Sequence, residues 1–185
     1  MQNYRVATAV NAGSDVVAVC NGSGNVELFT IGTDGTVWNF YPDPTSDTGY
    51  SGVSTGLIAG AISVGVGSDG KLIIFAGVGL QLVYIVEINS ATARWSTPAN
   101  VQLPLPPNAT RIARVYTQEI AGSLYVGVLT QFTSVPGPSY SLSYSIWQTS
   151  APSFQRTPMN LNSLNCVWLG NAAVNATFAC VVLIL

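Results

Sequence analysis

Histidine is absent from this chain, and charge of either sign is scarce. Of 185 residues, six are Lys or Arg and eight are Asp or Glu, 8% together, against roughly 25% in an average soluble domain. Without His, no side chain has an ordinary pKa near neutrality and no imidazole is present to ligate a metal. One lysine, Lys71, serves the whole chain. A net charge of −2 excludes a nucleic-acid binder that works by neutralising phosphates. Acid–base catalysis and metal chemistry lose most of their usual residues, so no cofactor and no catalytic group is assigned.

Long apolar runs are lacking too. Thr48 to Ser68 is uncharged over 21 residues but holds six Gly among Ser and Thr, too polar for a spanning helix. Ser123 to Gln155 is uncharged as well, and Pro136 and Pro138 interrupt it. Membrane insertion is therefore not expected. The longest wholly apolar stretch, Phe178 to Leu185, has eight residues, which is strand length. The opening Met-Gln-Asn-Tyr-Arg lacks the basic-then-apolar layout of a signal peptide. Cysteine is sparse and odd in number. Cys20, Cys166 and Cys180 form no CxxC pair and are expected as buried free thiols, a Cys166–Cys180 bridge being the alternative.

Helical periodicity is nearly missing, and what stands in its place is strand-like. β-branched and aromatic runs of five to eight residues alternate with Gly, Asn, Asp, Ser and Pro clusters, the all-β pattern. Val16–Cys20, Val26–Ile31 and Thr36–Tyr41 are joined by Asn21-Gly-Ser-Gly-Asn25 and Gly32-Thr-Asp-Gly35. Asn-Gly and Asp-Gly supply the positive φ that tight hairpins need, so this predicts a three-stranded meander, followed by a long connection from Pro42 to Gly56. The group recurs. First strands begin near residues 16, 62, 112 and 166 and second strands near 26, 71, 123 and 175, steps of 46, 50 and 54 against 45, 52 and 52.

A period of 40 to 50 residues with short strands predicts propeller blades; a β-sandwich or jelly roll is the alternative. The expectation is a single domain, 1–185, of four blade-like antiparallel repeats, at about 16–56, 62–104, 112–160 and 166–185. Tyr4–Val10 would complete the last repeat and close the ring. Arg94-Trp95 is expected as an outer strand.

Val26-Glu-Leu-Phe-Thr-Ile-Gly-Thr-Asp-Gly-Thr-Val-Trp38 resembles the repeat of tectonin- and tachylectin-type lectin propellers. In that repeat a strand with an apolar or aromatic centre leads into Gly-x-Asp-Gly-x-Val/Leu-Trp. The second copy keeps Gly67-Ser-Asp-Gly-Lys-Leu72 but has Ile73 in place of Trp, the third keeps only Gly122-Ser-Leu-Tyr125, and the fourth has none of the motif. The resemblance implies a propeller that binds sugars in pockets between or on blades, without metal or cofactor.

The residues themselves suggest roles. Asp34 is placed to cap its own turn, with Gly35 taking the left-handed angle. Trp38 either fills space beside its strand or stacks on a sugar ring. Trp95, next to Arg94, is either a cover for its sheet or a glycan platform; Trp147 has the same two readings. Trp168 reads as core. The candidate ligand-binding residues are Trp38, Asn39, Arg94, Trp95 and Trp147. Asp43-Pro-Thr-Ser-Asp47 reads as solvated turn residues rather than a Ca²⁺ loop, which usually alternates its oxygen ligands more tightly. The acids look scattered: Asp34 and Asp69 in turns, Glu27 and Glu87 in strands, with no pair for glycoside hydrolysis.

The sequence thus points to a non-catalytic carbohydrate-binding protein whose partners are glycans, with repeated weak sites multiplied by avidity and homo-oligomerisation compatible with that role. An extracellular or cell-surface location follows from such partners, with non-classical export or a cytoplasmic location as alternatives. The rival reading is a structural or assembly protein, such as a coat, spike or fibre subunit, joined through its β-strands.

Overall fold

The computed structural model describes residues 16–89, 94–103, 105, 107–120, 122–133, 138–146 and 155–157. Tyr4–Val10, Trp147, Trp168, Cys166, Cys180 and the fourth repeat lie outside them. The described residues form an all-β fold of antiparallel strands, with no helix among them, and hence none long and apolar enough to cross a membrane.

Three meander sheets follow one another along the chain. Sheet 1 contains β1 (Val17–Cys20), β2 (Val26–Ile31), β3 (Thr36–Pro42) and β4 (Tyr50–Ile58), in that order. Sheet 2 contains β5 (Ala61–Val66), β6 (Leu72–Val78), β7 (Gln81–Asn89) and the two-residue β8 (Arg94–Trp95), with β9 (Ala99–Val101) also pairing with β7. Sheet 3 contains β10 (Ala109–Ile120), β11 (Ser123–Thr133), β12 (Pro138–Ile146) and β13 (Gln155–Thr157). Unit 1 therefore has four strands rather than three. Part of the expected long connection is β4, rich in Ser, Gly and Thr, which among the described residues is an edge strand paired on its β3 side alone.

Turn chemistry explains the hairpins. Asn21–Asn25, Gly32–Thr36 and Gly67–Lys71 share one hydrogen-bond pattern. In each, the first residue's N–H donates to the fifth residue's carbonyl at 2.8 Å, and the fourth residue's N–H returns to the first at 2.9 Å. That fourth residue is Gly24, Gly35 or Gly70, with φ of 80°, 82° and 78°, a conformation that glycine adopts without the clash a Cβ would bring. A side chain inside each turn secures it: the Thr36 N–H donates to Asp34 Oδ1 at 2.9 Å, the Lys71 N–H to Asp69 Oδ1 at 3.2 Å, and the Ser23 N–H to Asn21 Oδ1 at 3.0 Å. The cap expected of Asp34 is therefore present. The second Gly-x-Asp-Gly turn, however, joins the first and second strands of its sheet, whereas Gly32–Gly35 joins the second and third.

Strand alternation then builds two cores. Phe29, Ile31, Val37 and Leu57 from sheet 1 pack against Leu72, Ile74, Ala76, Val83 and Ile85 from sheet 2. Ile73, Phe75 and Leu82, on the other face of sheet 2, pack against Ile112, Val115, Leu124, Val126 and Val128 from sheet 3. Sheet 2 is thus held between its neighbours, and β6 is buried along six consecutive residues, Leu72 to Gly77. Each fully buried Phe or Leu in these seams contributes about 1.5–3 kcal/mol by leaving water. The second seam is tight. A Cβ at Gly77 would lie 2.7 Å from Ile112 Cγ2, and one at Gly65 2.6 Å from Leu124 Cδ1.

Candidate functional site

The polar side chains gather at one end of the seam between sheets 1 and 2. On β2, Glu27 shares a face with Phe29 and Ile31; on β3, Asn39 is the cross-strand partner of Phe29. Both side chains therefore look toward sheet 2. On β7, Glu87 pairs across from Leu72 and shares its face with Ile85 and Val83, looking back toward sheet 1. Glu27, Asn39 and Glu87 are 2%, 0% and 5% exposed. Glu27 and Glu87, which look scattered in sequence, both face the seam between sheets 1 and 2.

Each carboxylate is partly compensated. Glu27 accepts from Asn21 Nδ2 at 2.8 Å through Oε1 and from Asn39 Nδ2 at 2.9 Å through Oε2. Glu87 Oε2 accepts the Leu72 N–H at 3.2 Å. Burial pushes the Glu87 carboxyl above the usual carboxylate range; the Leu72 N–H opposes this, and the charge of Glu27 reinforces it. Two atoms nearby lack partners: Asn39 Oδ1 and the indole nitrogen of Trp95 are buried without a hydrogen bond. Trp95 is the cross-strand neighbour of Glu87 and meets Phe29 edge-on, ring centroids 5.9 Å apart and planes at 79°.

Two clefts flank the β1–β2 turn, one within sheet 1 and one between sheets 1 and 2. One, of about 380 Å³, is lined by Asn21, Asn25, Glu27, Tyr41 and Asp43 among others. The other, of about 510 Å³, is lined by Asn21, Ser23, Asp69, Lys71, Glu87 and Asn89 among others. Asn21 belongs to both, and its side chain is fixed at both ends, by Glu27 and by the turn N–H groups of Ser23 and Asn25. Asp43 is fixed as well. Its carboxylate accepts from the Ser51 hydroxyl and from the Thr45 hydroxyl and N–H, and these bonds, in that order, hold it below the usual carboxylate range. Lys71 sits 3.4 Å from Asp69, both half-exposed.

The structure separates the candidate ligand-binding residues. Asn39 is fully enclosed, because its position on β3 turns it into the seam. Trp95 is half-buried and packs on the Phe29 side of the core. Arg94 is exposed. Trp38 is half-buried on the opposite face of sheet 1, across from Ser54. Cys20 is an exposed free thiol, not a buried one. Among the described residues, no three His, Cys, Asp or Glu side chains come together to hold a metal ion. The cleft-lining residues that were not candidates in sequence include Asn21, Asn25, Asp43, Asn89, Tyr41, Glu27 and Glu87, and the last two carry a signal. Each places a charge at the inward position of an otherwise apolar alternation, Glu27-x-Phe29-x-Ile31 and Val83-x-Ile85-x-Glu87.

A scan against protein-family models found no match, and a search of curated proteins found none either.

Proposed function

We propose that this chain is a non-catalytic carbohydrate-binding protein, a β-propeller-like array of meander sheets whose sugars dock in the paired clefts beside the β1–β2 turn. The observation that carries this reading is the chemistry of the cleft walls. Asn21, Ser23, Asn25 and Asn89 present amides and a hydroxyl, Asp43 presents a carboxylate, and Tyr41 adds a ring. Sugar hydroxyls donate to carboxylates and accept from amide N–H groups, and a phenol ring offers an apolar face with a polar edge. Fixed side chains such as Asn21 and Asp43 lose little freedom when a ligand arrives, which favours binding. Three successive meander sheets stacked face to face are consistent with blades of a larger ring. The glycans bound are those outside the cell or on its surface.

A glycan array with the full chain tests the proposal. Wild type is expected to bind at least one neutral glycan class, and Tyr41→Ala to weaken it roughly tenfold, the loss of one stacking contact of about 1.4 kcal/mol. A folded wild type that binds no glycan at high protein concentration overturns it.

A second reading, subunit assembly through strand edges, draws on β4, which among the described residues is an edge of sheet 1 and ends in Ile58, 63% exposed. A stable trimer or larger assembly without glycan affinity would favour it.

A further inference from the structure

Charge is divided unevenly between the sheets. Residues 16–58, which hold sheet 1, contain Glu27, Asp34, Asp43 and Asp47 and no Lys or Arg. Residues 61–157, which hold sheets 2 and 3, contain three acids against five Lys or Arg. The two clefts differ in the same way. On the wall of the cleft between sheets 1 and 2, Lys71 offsets Asp69 at 3.4 Å. The cleft within sheet 1 is lined by Glu27 and Asp43 and, among the described residues, by no cation. Glu27 is buried, and both its oxygens accept amide N–H bonds, from Asn21 and Asn39. Amides solvate a carboxylate without neutralising it, and a charge so enclosed is little screened by water. Asp43 is more accessible. Its Oδ1 accepts the Thr45 N–H at 2.9 Å and the Thr45 hydroxyl at 2.6 Å, and its Oδ2 accepts the Ser51 hydroxyl at 2.5 Å. A carboxylate offers about four acceptor positions, so one on Oδ2 is left. Among the described residues no three acids converge to hold a metal ion, and a cleft of about 380 Å³ has the size of a small-molecule site.

We propose that the cleft within sheet 1 selects sugars that carry a free amine. The ammonium bonds the open position of Asp43, and the enclosed charge of Glu27 adds attraction from the same cleft. Hydroxyls of the sugar meet the amides of Asn21 and Asn25 and the hydroxyl of Ser23. Tyr41, also in the wall, suits both halves of such a ligand, because an aromatic ring packs against a sugar face and attracts a cation. N-acetylation deletes the positive charge, and a sugar acid brings a like charge to Asp43, so both are disfavoured here. The other cleft, where Lys71 offsets Asp69, is not expected to share the bias. This preference rests on the carbohydrate reading of the cleft and adds to it the charge of the sugar.

The test is isothermal titration calorimetry of the full chain with a glucosamine trisaccharide and with its N-acetylated counterpart, at pH 6, below the range of ordinary amines. Wild type is expected to bind the amine form about tenfold more tightly, the scale of one hydrogen bond to a charged group. Asp43→Asn keeps the shape of the side chain and is expected to bring that ratio to about twofold or less. Asn25→Lys, at an exposed turn position, sets a positive charge on the same wall and should lower the ratio as well. A wild type that binds both forms equally, or prefers the acetylated one, overturns the preference and leaves sugar binding standing. A ratio that Asp43→Asn does not change overturns it equally. A folded wild type that binds neither form nor any other glycan overturns the carbohydrate reading along with it.

Discussion

The seam between sheets 1 and 2 and the seam between sheets 2 and 3 share a wall, and they use it differently. On its sheet 3 side, sheet 2 presents Ile73, Phe75 and Leu82, with Gly65 and Gly77 letting Leu124 and Ile112 approach the backbone. The main polar link there is lateral, Ser63 Oγ to Thr117 Oγ1 at 2.8 Å, with the Thr117 hydroxyl also meeting the Val64 carbonyl at 2.7 Å. On its sheet 1 side, sheet 2 presents Leu72, Ile74 and Ile85 and then, one step further along β7, Glu87. One seam is filled by volume throughout. The other gives its last tier to Glu27, Asn39 and Glu87, and opens into clefts where that tier meets solvent. A strand can thus be core to one neighbour and site wall to the other, depending on a single inward residue.

The difference can be tested by substitution. The largest expected effect is at the filled seam. Phe75→Ala removes a fully buried ring and is expected to cost about 3–5 kcal/mol, measured by urea denaturation. Because no acid lies in that tier, the loss should be the same at pH 5 and pH 8; a cost that depends on pH would erase the contrast between the seams. Next comes Gly77→Ala. The added methyl would lie 2.7 Å from Ile112 Cγ2, so overpacking of about 1–3 kcal/mol is expected. Ile112→Ala in the same chain removes Cγ2 and should offset part of it, and additive losses in that double-mutant cycle would show that the seam is not close-packed at this point.

The smallest effect is expected at the rim of the cleft. Asp43 is exposed and held below the usual carboxylate range by the hydroxyl of Ser51 and by Thr45. A lowered folded pKa gives stability that is present above the unfolded value and lost as pH falls through the folded one. Asp43→Asn should therefore remove a slight acid-side loss of stability, and thermal melts from pH 2.5 to 5 would show it.

The local layer of this fold is legible in the sequence, and the assembled layer is only partly so. The Asn-Gly and Asp-Gly turns mark hairpins because glycine at positive φ is a local requirement, and the meander follows from them. β4 is hidden for a reason equally local. As an edge strand it has little apolar surface to bury, so Tyr50-Ser-Gly-Val-Ser-Thr-Gly reads as a connection. The repeated Gly-x-Asp-Gly motif identifies turns but does not keep the sheets in phase, since any hairpin of this length accepts it. At the site, Asn39 and Trp95 stand out in sequence as polar and aromatic, yet the parity of their strands points them inward. Glu27 and Glu87, 60 positions apart in the numbering, come to the same seam only when sheet 1 closes on sheet 2, and no local pattern reports that.

The uninterrupted burial of β6 limits how this molecule can change. From Leu72 to Gly77 each residue answers to a neighbouring sheet, so substitutions there are confined to exchanges that preserve volume. New recognition chemistry has no room along the middle of the strand and can enter only at its ends, where turns and the last inward residue meet water. The stack is in effect a fixed spine with editable tips, and the β1–β2 turn, Tyr41 and the end of β7 are where its sequence is free to change.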